Sequence, residues 1–452
     1  MVVEKFCRLS ASIWARALGM KLAALGLLCF LSAGALAQTV SLDRDRSRTM
    51  LNKIKDEIKK NYYDPNYHGL DIETHFKKVD EKLKEANNLD QMFSLIGQAL
   101  LDFEDSHTIF FPPQRTGRTD YGWKMQLIGE GVYVTAVKPK SDAEKKGLKP
   151  GDRIAALGGY KLTRDSLRKL LYIYYVLRPQ PGMRLMVQAP NEAEPHQVDV
   201  LAKIEQGKQI LDLSETGDTD IVDFIREIEE DYRLSRHRYS KVGDDLFIWK
   251  MSGFYSKEDV DNMMSKVDKS KALVLDLRGN GGGAVEALQQ LIGRVFEKDI
   301  TVGEVKTRKE AKPLIAKTRG DQVFAGKLIV LVDSESGSAS EIFARVVQMH
   351  GRGVVIGDRT AGAVMRSRSH GFAMGGDTQI FYRASITNAD IVMTDGKSLE
   401  RIGVTPDELK LPTAADMAAK RDPVLSYAAS LVGIKLEPEK AGALFPHEWK
   451  KQ

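Results

Sequence analysis

The chain has 452 residues, of which 42% are hydrophobic and 29% are charged, and its formal net charge is +5. This length predicts two to four domains, and the hydrophobic content is sufficient for substantial buried cores. Charges of both signs are interleaved and no basic block follows a phosphate backbone, so the composition argues against a nucleic-acid-binding protein.

The first 37 residues have the layout of a secretory signal peptide. Basic residues precede an apolar run from Leu22 to Leu31, which leads to the small-residue cleavage pattern Ala35-Leu36-Ala37. The run is shorter than the roughly 20 residues of a spanning helix, so removal after Ala37 is favoured over a retained membrane anchor. We therefore predict a periplasmic or secreted protein with no stable membrane anchor.

Both cysteines, Cys7 and Cys29, lie in this removable segment. The mature chain would then have no disulfide, no thiolate metal site and no cysteine nucleophile. The histidines show no ligand spacing, so we predict neither a metal site nor a cofactor.

Residues 38–115 have a helical pattern. Apolar residues recur at helical spacing in the stretch 50–58, and Tyr62–Tyr67 interrupts the pattern with an Asp-Pro pair. Further helical stretches cover Phe76–Leu83 and Leu89–Leu101. We predict an N-terminal helical domain that ends near Asp105–Thr108.

Residues 118–205 have a different, β-rich character. Apolar and polar residues alternate in Gly131–Val137, which predicts a strand. A helix is predicted for Arg164–Leu171 and a strand for Met183–Gln188. The segment resembles a PDZ domain, mainly through the turn Gly147–Asp152, which reads Gly-Leu-Lys-Pro-Gly-Asp. The resemblance implies binding of peptide ends by strand addition. The alternative is a small β-rich insertion without a peptide groove.

Strands and helices alternate over residues 206–412. The predicted strands are Asp245–Lys250, Ala272–Asp276, Leu328–Val332 and 354–356, and the predicted helices are Ser256–Lys266, one from Ala284, and Ala339–Met349. Alternation of buried strands with helices predicts an α/β sheet that is covered on both faces. A C-terminal helical tail is predicted for 413–452.

One turn places a serine after a buried strand. Leu328–Val332 leads into Asp-Ser-Glu-Ser-Gly and then Ser338, where a helix begins. Such a serine is held at the carboxyl edge of the sheet beside free backbone donors, which suits a nucleophile. The alternative is that Ser336, Ser338 and Ser340 only cap the helix, with Glu341 completing a capping box.

A second turn follows another buried strand. Asp276–Gly283 reads Asp-Leu-Arg-Gly-Asn-Gly-Gly-Gly, and the glycines let the backbone approach a substrate closely. The loop could serve an oxyanion or a phosphate, but no Lys-Ser/Thr pair follows as in a phosphate loop.

Together these segments resemble the S41 peptidase family, which includes carboxy-terminal processing proteases and the tricorn core. The resemblance rests on Asp276–Gly283, on Ser338–Glu341 and on Gly351–Gly357, and it covers residues 45 to 412. It implies a ClpP/crotonase-like α/β catalytic core with an N-terminal helical cap and an inserted PDZ-like domain. It also implies a serine endopeptidase with Ser338 as nucleophile.

The family has two catalytic designs. Processing proteases use a lysine base, but the matching position here is Ala363, and the nearby arginines are poor bases. The tricorn-like design uses a histidine before the PDZ-like insert and a late glutamate. By resemblance these are His107, assisted by Ser106, and Glu400.

Rivals for these roles remain open in the sequence. His370 is the rival histidine, and Asp395 and Asp407 are rival acids. The resemblance favours the backbone N–H groups of Gly282 and Ala339 as oxyanion donors.

The sequence favours a Ser-His-Glu endopeptidase that acts on extended polypeptides, whose C-terminal tails the PDZ-like domain would bind. The main alternative is a catalytically silent relative that binds peptides or a hydrophobic ligand. A lipase or esterase agrees less well with the sequence, because the Gly-x-Ser-x-Gly motif of those enzymes is absent at Ser338.

Overall fold

The computed structural model describes residues 39–115, 117–206, 229–267, 269–375 and 379–450. The predicted signal peptide and both cysteines lie outside these residues. Among the helices of the described ranges, none combines the length and the apolar character needed to cross a bilayer.

The N-terminal unit is helical, as predicted. Side chains cap its second and third helices, since Asp71 accepts from the N–H groups of Glu73 and Thr74, and Asn88 accepts from that of Gln91. The apolar stripes of the helices pack into one buried cluster. The helices are α1 (39–61), α2 (Ile72–Glu85) and α3 (Leu89–Leu101).

A β-rich unit follows the strand β1 (Ile109–Phe111). Its buried face has an apolar cluster of its own, to which strands and two helices contribute. The elements are β2 (Gly117–Asp120), β3 (Trp123–Ile128), β4 (Gly131–Val137), α4 (Asp142–Lys145), β5 (Arg153–Leu157), β6 (Tyr160–Lys161), α5 (Arg164–Tyr172), β7 (Gly182–Gln188), β8 (His196–Leu201) and β9 (Lys203–Gln206). The sheet order is β3-β4-β5-β7-β8, with β6 on β5, and β2 pairs with β9.

The remaining elements form an α/β unit and a second sheet. They are α6 (229–235), β10 (Arg238–Val242), β11 (Leu246–Lys250), α7 (Lys257–Val267), β12 (Ala272–Asp276), α8 (Val285–Gly293), β13 (Ile300–Lys306), β14 (Ala311–Ala316), β15 (Lys327–Val332), α9 (Ala339–Met349), β16 (Val354–Gly357), β17 (Met365–Met374), β18 (Ile380–Met393), β19 (Glu408–Leu409), α10 (Ala414–Ala418), α11 (Pro423–Ser430) and α12 (Pro438–Leu444).

The main sheet has the order β10-β11-β12-β15-β16-β19, and β11 to β19 run parallel. Alternate side chains of each strand enter different cores, so that Phe247 and Trp249 pack with α7, α8 and α9, whereas Leu246 and Ile248 pack with α11. The prediction of an α/β sheet covered on both faces is therefore confirmed. The register pairs Asp276 with Leu331, which brings the loops after β12 and β15 to the same edge.

A second sheet, which the sequence analysis did not predict, joins the helical unit to the α/β unit. Its order is β1-β18-β13-β14, and β17 pairs with the other edge of β18. Tyr382, Ala384 and Ile386 of β18 lie in the same apolar cluster as α1, α2 and α3. The helical segment therefore shares its core with strands that come almost 300 residues later in the chain.

Candidate active site

Hydrogen bonds join the loop after β12 to the loop after β15. The Ser336 hydroxyl donates to the Leu277 carbonyl at 2.8 Å, and the Gly337 N–H donates to the Asn280 carbonyl at 2.9 Å. The Ser340 hydroxyl donates to the same Asn280 carbonyl at 2.9 Å. Ser336 and Ser340, two of the three candidate capping serines, therefore use their hydroxyls to hold the two loops together.

Ser338 differs from these two serines. It lies at the N-terminus of α9 with φ 53° and ψ −115°, a left-handed conformation that costs a non-glycine residue about 1–3 kcal/mol. Its N–H donates to the Ala363 carbonyl at 2.9 Å and to Glu341 Oε2 at 3.0 Å. This bond to Glu341 belongs to the capping box that the sequence offered as the alternative, but the Ser338 hydroxyl donates no hydrogen bond to any residue that the structure describes. The backbone strain thus presents a hydroxyl with an uncommitted proton at the edge of the sheet.

Gly282 packs directly against this serine. A Cβ atom at Gly282, whose φ is +100°, would lie 2.6 Å from the Ser338 Cβ and 2.9 Å from the Ala339 nitrogen. Only glycine permits that approach. The Gly282 N–H donates to Asn280 Oδ1 at 2.9 Å, whereas the Ala339 N–H has no acceptor among the described residues.

Ser106, His107 and Glu400 form a connected cluster. The Ser106 hydroxyl donates to Glu400 Oε2 at 2.9 Å, and the Ser106 N–H donates to Glu400 Oε1 at 2.7 Å. His107 Nδ1 lies 2.6 Å from the Ser106 Oγ. Because this hydroxyl gives its proton to the carboxylate, its oxygen can accept from His107 Nδ1–H. In that tautomer the imidazole Nε2 is the free base.

The segment Ala363–Val364 connects this cluster to Ser338. The Ala363 carbonyl accepts from the Ser338 N–H, and the next residue donates its N–H to Glu400 Oε2 at 2.7 Å. A chain of hydrogen bonds therefore runs from the Ser338 backbone through Ala363–Val364 to Glu400, and from there to Ser106 and His107. Within the described residues, no hydrogen bond joins the Ser338 hydroxyl to His107, and such bonds often tighten only when substrate binds.

Asp105 fixes the turn that carries the histidine. Its Oδ1 accepts from the N–H groups of His107 and Thr108 at 2.8 and 2.7 Å, and its Oδ2 accepts from the Tyr62 hydroxyl at 2.8 Å. Thr387 of β18 donates to Oδ1 at 2.7 Å. The sequence analysis assigned no role to Asp105. Its position two residues before the histidine is the signal of an Asx-type turn, whereas Thr387 gives no local signal.

Electrostatics favour a neutral imidazole. The pKa of His107 is lowered to about 4, because burial disfavours the imidazolium and because the Arg168 guanidinium repels it. Arg168 belongs to α5 of the β-rich unit, and it donates to the Ser106 carbonyl. Burial raises the pKa of Glu400 to about 7, against the opposing effect of its hydrogen-bond donors.

The rival residues lie elsewhere. His370 Nδ1 is 3.3 Å from Glu57 of α1, Asp395 pairs with Arg345, and Asp407 accepts from Gln348. None of the three rivals forms a hydrogen bond with Ser106, whereas Glu400 accepts from both its N–H and its hydroxyl.

Ala363 occupies the place that the resemblance assigns to a lysine base, adjacent to Ser338. Its N–H donates to Glu341 Oε2 at 2.9 Å. Over the described ranges, no lysine forms a hydrogen bond or ion pair with Ser106, His107, Ser338 or Glu400. In the same ranges, no group of three or more His, Cys, Asp or Glu side chains is arranged to hold a metal ion.

Comparisons with known proteins show which family part of the chain resembles. Residues 246–409 match the model of peptidase family S41. The tail-specific protease of Haemophilus influenzae is 27% identical over 321 residues, which are 67% of this chain and 43% of that protein. The chain thus spans less than half the length of this relative.

Two further relatives match over more of their length. Carboxy-terminal processing protease CtpB of Bacillus subtilis is 22% identical, over 96% of this chain and 88% of that protein. Carboxyl-terminal-processing peptidase 3, chloroplastic, of Arabidopsis thaliana is 21% identical, over 88% and 78%.

Among solved structures, mature CPAF has a similar fold. It aligns with a TM-score of 0.61 at 14% identity, over 83% of this chain and 94% of that chain. Mature CPAF complexed with lactacystin aligns with a TM-score of 0.60 at 14% identity, over 88% and 98%. These two structures show the fold of the chain, with its α/β core. Residues 246–409, which include the main sheet, are therefore similar to the S41 peptidase domain, and the named relatives support a serine peptidase.

Proposed function

We propose that this protein is an endopeptidase that hydrolyses extended polypeptides by a Ser-His-Glu mechanism. The observation that carries the proposal is the chain of contacts from Glu400 through Ser106 to His107, together with a strained serine whose hydroxyl proton is not donated to any described residue. Ser338 is the nucleophile and His107 the general base. Glu400 and Ser106 orient the imidazole and stabilise its cation.

The reaction divides into two half-reactions. Ser338 Oγ attacks the scissile carbonyl carbon while its proton moves to His107 Nε2, and the C–N bond breaks as the imidazolium returns that proton to the leaving amine. Water then attacks the acyl carbon while its proton moves to His107 Nε2. The imidazolium returns that proton to Ser338 Oγ as the acyl-enzyme bond breaks. A pKa near 4 keeps His107 in the neutral form that this role requires at neutral pH.

The oxyanion would lie at the N-terminus of α9. The Ala339 N–H is free to donate, and Gly282 lies against the nucleophile. The Gly282 N–H would exchange its bond with Asn280 Oδ1 for the oxyanion.

A fluorophosphonate probe tests the proposal directly. We expect covalent labelling of Ser338, detected by mass spectrometry, because the probe requires an activated serine and an oxyanion site. A Ser338→Ala variant with unchanged circular dichroism provides the control. A folded wild-type chain that takes up no probe would favour the silent peptide- or hydrophobic-ligand-binding protein.

The pH dependence of kcat/KM should reflect the ionisation of the Glu400 carboxyl group. All three of its hydrogen-bond partners donate, so the ionised carboxylate is the form that matches its site. With a pKa of about 7, this carboxyl is ionised above that pH and protonated below it. We expect kcat/KM to fall as the pH decreases through about 7.

Glu400→Gln should remove this acidic limb of the pH profile and lower kcat by about 10⁴-fold, as loss of a triad acid does. The remaining acidic limb would be that of His107, near pH 4. Asp395→Asn is the matched control, because this rival acid pairs with Arg345 instead. A limb near pH 7 that persists in Glu400→Gln would contradict the assignment.

We further propose that the β-rich unit is a PDZ-like module that receives the C-terminal tail of the substrate. Among the described strands only β4 pairs with β3, so the other edge of β3 can accept an added strand. Leu167 and Leu170 of α5 belong to the same apolar cluster as the buried side chains of β3. This arrangement of one edge strand and one helix is what supports a peptide groove.

Export to the periplasm or outside the cell is also proposed. It rests on the basic, apolar and small-residue segments that end at Ala37. Mass spectrometry of the N-terminus after secretion would test it, and a mature N-terminus at Gln38 is expected.

A further inference from the structure

The loop that carries the candidate oxyanion donor is anchored at its start by one arginine. Arg278 Nε and Nη2 donate to Asp276 at 2.9 and 2.8 Å, and Nη1 and Nη2 donate to Asp422 at 3.0 and 2.7 Å. Lys250 Nζ donates to the Arg278 carbonyl at 2.6 Å. All three guanidinium nitrogens are therefore committed to carboxylates.

Asp422 itself belongs to a rigid part of the fold. It is the N-cap of α11, where its Oδ1 accepts from the Leu425 N–H at 2.9 Å, and its own N–H donates to the Pro438 carbonyl. The buried side chains of α11 pack against the second face of the main sheet. A carboxylate tied in this way has little freedom to move, so it can serve as a fixed point for Arg278.

The other end of the same loop reaches the nucleophile. The Asn280 carbonyl holds Gly337 and Ser340, and Gly282 lies in contact with Ser338. Only one residue separates Arg278 from Asn280. A displacement of the guanidinium would therefore move the glycine backbone relative to the position of the oxyanion.

We propose that Asp422 is a positioning residue, which holds the oxyanion loop in its productive geometry through Arg278. The inference rests on the proposed function and extends it to the C-terminal helices. Asp422 lies outside the S41 match, which ends at residue 409. The pair is charge-assisted and bidentate, the geometry in which an arginine fixes orientation most strongly.

The test is Asp422→Asn. Asparagine is as good an N-cap as aspartate, so α11 should persist, while the charge that fixes Arg278 is lost. We expect kcat to fall about 10- to 100-fold with KM within twofold of wild type, because the loop acts on the transition state. The rate of fluorophosphonate labelling at Ser338 should fall by a similar factor, since the bound phosphonyl oxygen uses the same donors.

Asp71→Asn is the matched control. It makes the same substitution at the N-cap of α2, on the exposed surface. Both variants should keep a cooperative thermal transition, and Asp71→Asn should retain wild-type kcat.

Three results would overturn the inference: wild-type kcat in Asp422→Asn, a loss confined to KM, or an equal kcat loss in Asp71→Asn. Failure of the proposed function is distinguishable, since the wild type itself would then neither cleave peptides nor react with the probe. With that result there would be no hydrolytic reaction for Asp422 to influence.

Discussion

Replacing Ser338 with alanine is expected to lower kcat for peptide hydrolysis by about 10⁶-fold, the effect of deleting a nucleophile from a catalytic unit. The alanine variant lacks the atom that forms the acyl-enzyme, and no neighbouring hydroxyl can replace it. Ser336 and Ser340 are committed to backbone carbonyls of the adjacent loop. Steady-state hydrolysis of a fluorogenic peptide measures the effect.

The fold should tolerate this change. Alanine is as strained as serine at a φ of 53°, and it keeps the backbone hydrogen bonds of Ser338 to Ala363 and Glu341. The melting temperature should therefore remain close to that of the wild type. Ser265→Ala, on the exposed surface of α7, is the control and should keep full activity. Hydrolysis by Ser338→Ala at the wild-type rate would refute the nucleophile assignment.

His107→Ala should have a comparably large effect, because a serine hydroxyl without its base is a weak nucleophile. The loss should not add to that of Ser338→Ala, so the double variant should be no slower than either single one. The measurement is kcat for the two single variants and for their combination.

His370→Ala provides the comparison for this prediction. This histidine pairs with Glu57 of α1, and its loss should leave kcat nearly unchanged. If His370→Ala were inactive while His107→Ala retained activity, the base would have been misassigned.

The sequence predicted those parts of the fold in which local pattern and burial agree. The helix Ala339–Met349 and the strand Ala272–Asp276 have the predicted bounds, because a fully apolar strand next to an amphipathic helix leaves little ambiguity. The strands β17 and β18 were missed. β17 mixes arginines and serines with apolar residues, and its strand character depends on pairing with β18.

The residues of the candidate site also divide into those that the sequence could nominate and those that it could not. The resemblance to a family could nominate Ser338, His107, Ser106 and Glu400, whose contacts the structure then revealed. Arg168 and Thr387 could not be nominated. Each reaches the site only because a distant element packs there, and neither has a sequence neighbour that marks its role.

The proposed catalytic groups are dispersed along the chain in an order that has a consequence for biosynthesis. Residues 106 and 107 emerge early from the ribosome, the serine follows more than two hundred residues later, and Glu400 comes near the end. A growing chain therefore carries a base without a nucleophile, and then both without the acid that orients them. Under the proposed mechanism the growing chain should reach full activity only after Glu400 has been made, and a fragment restricted to 246–409 would carry the serine and the glutamate without the histidine.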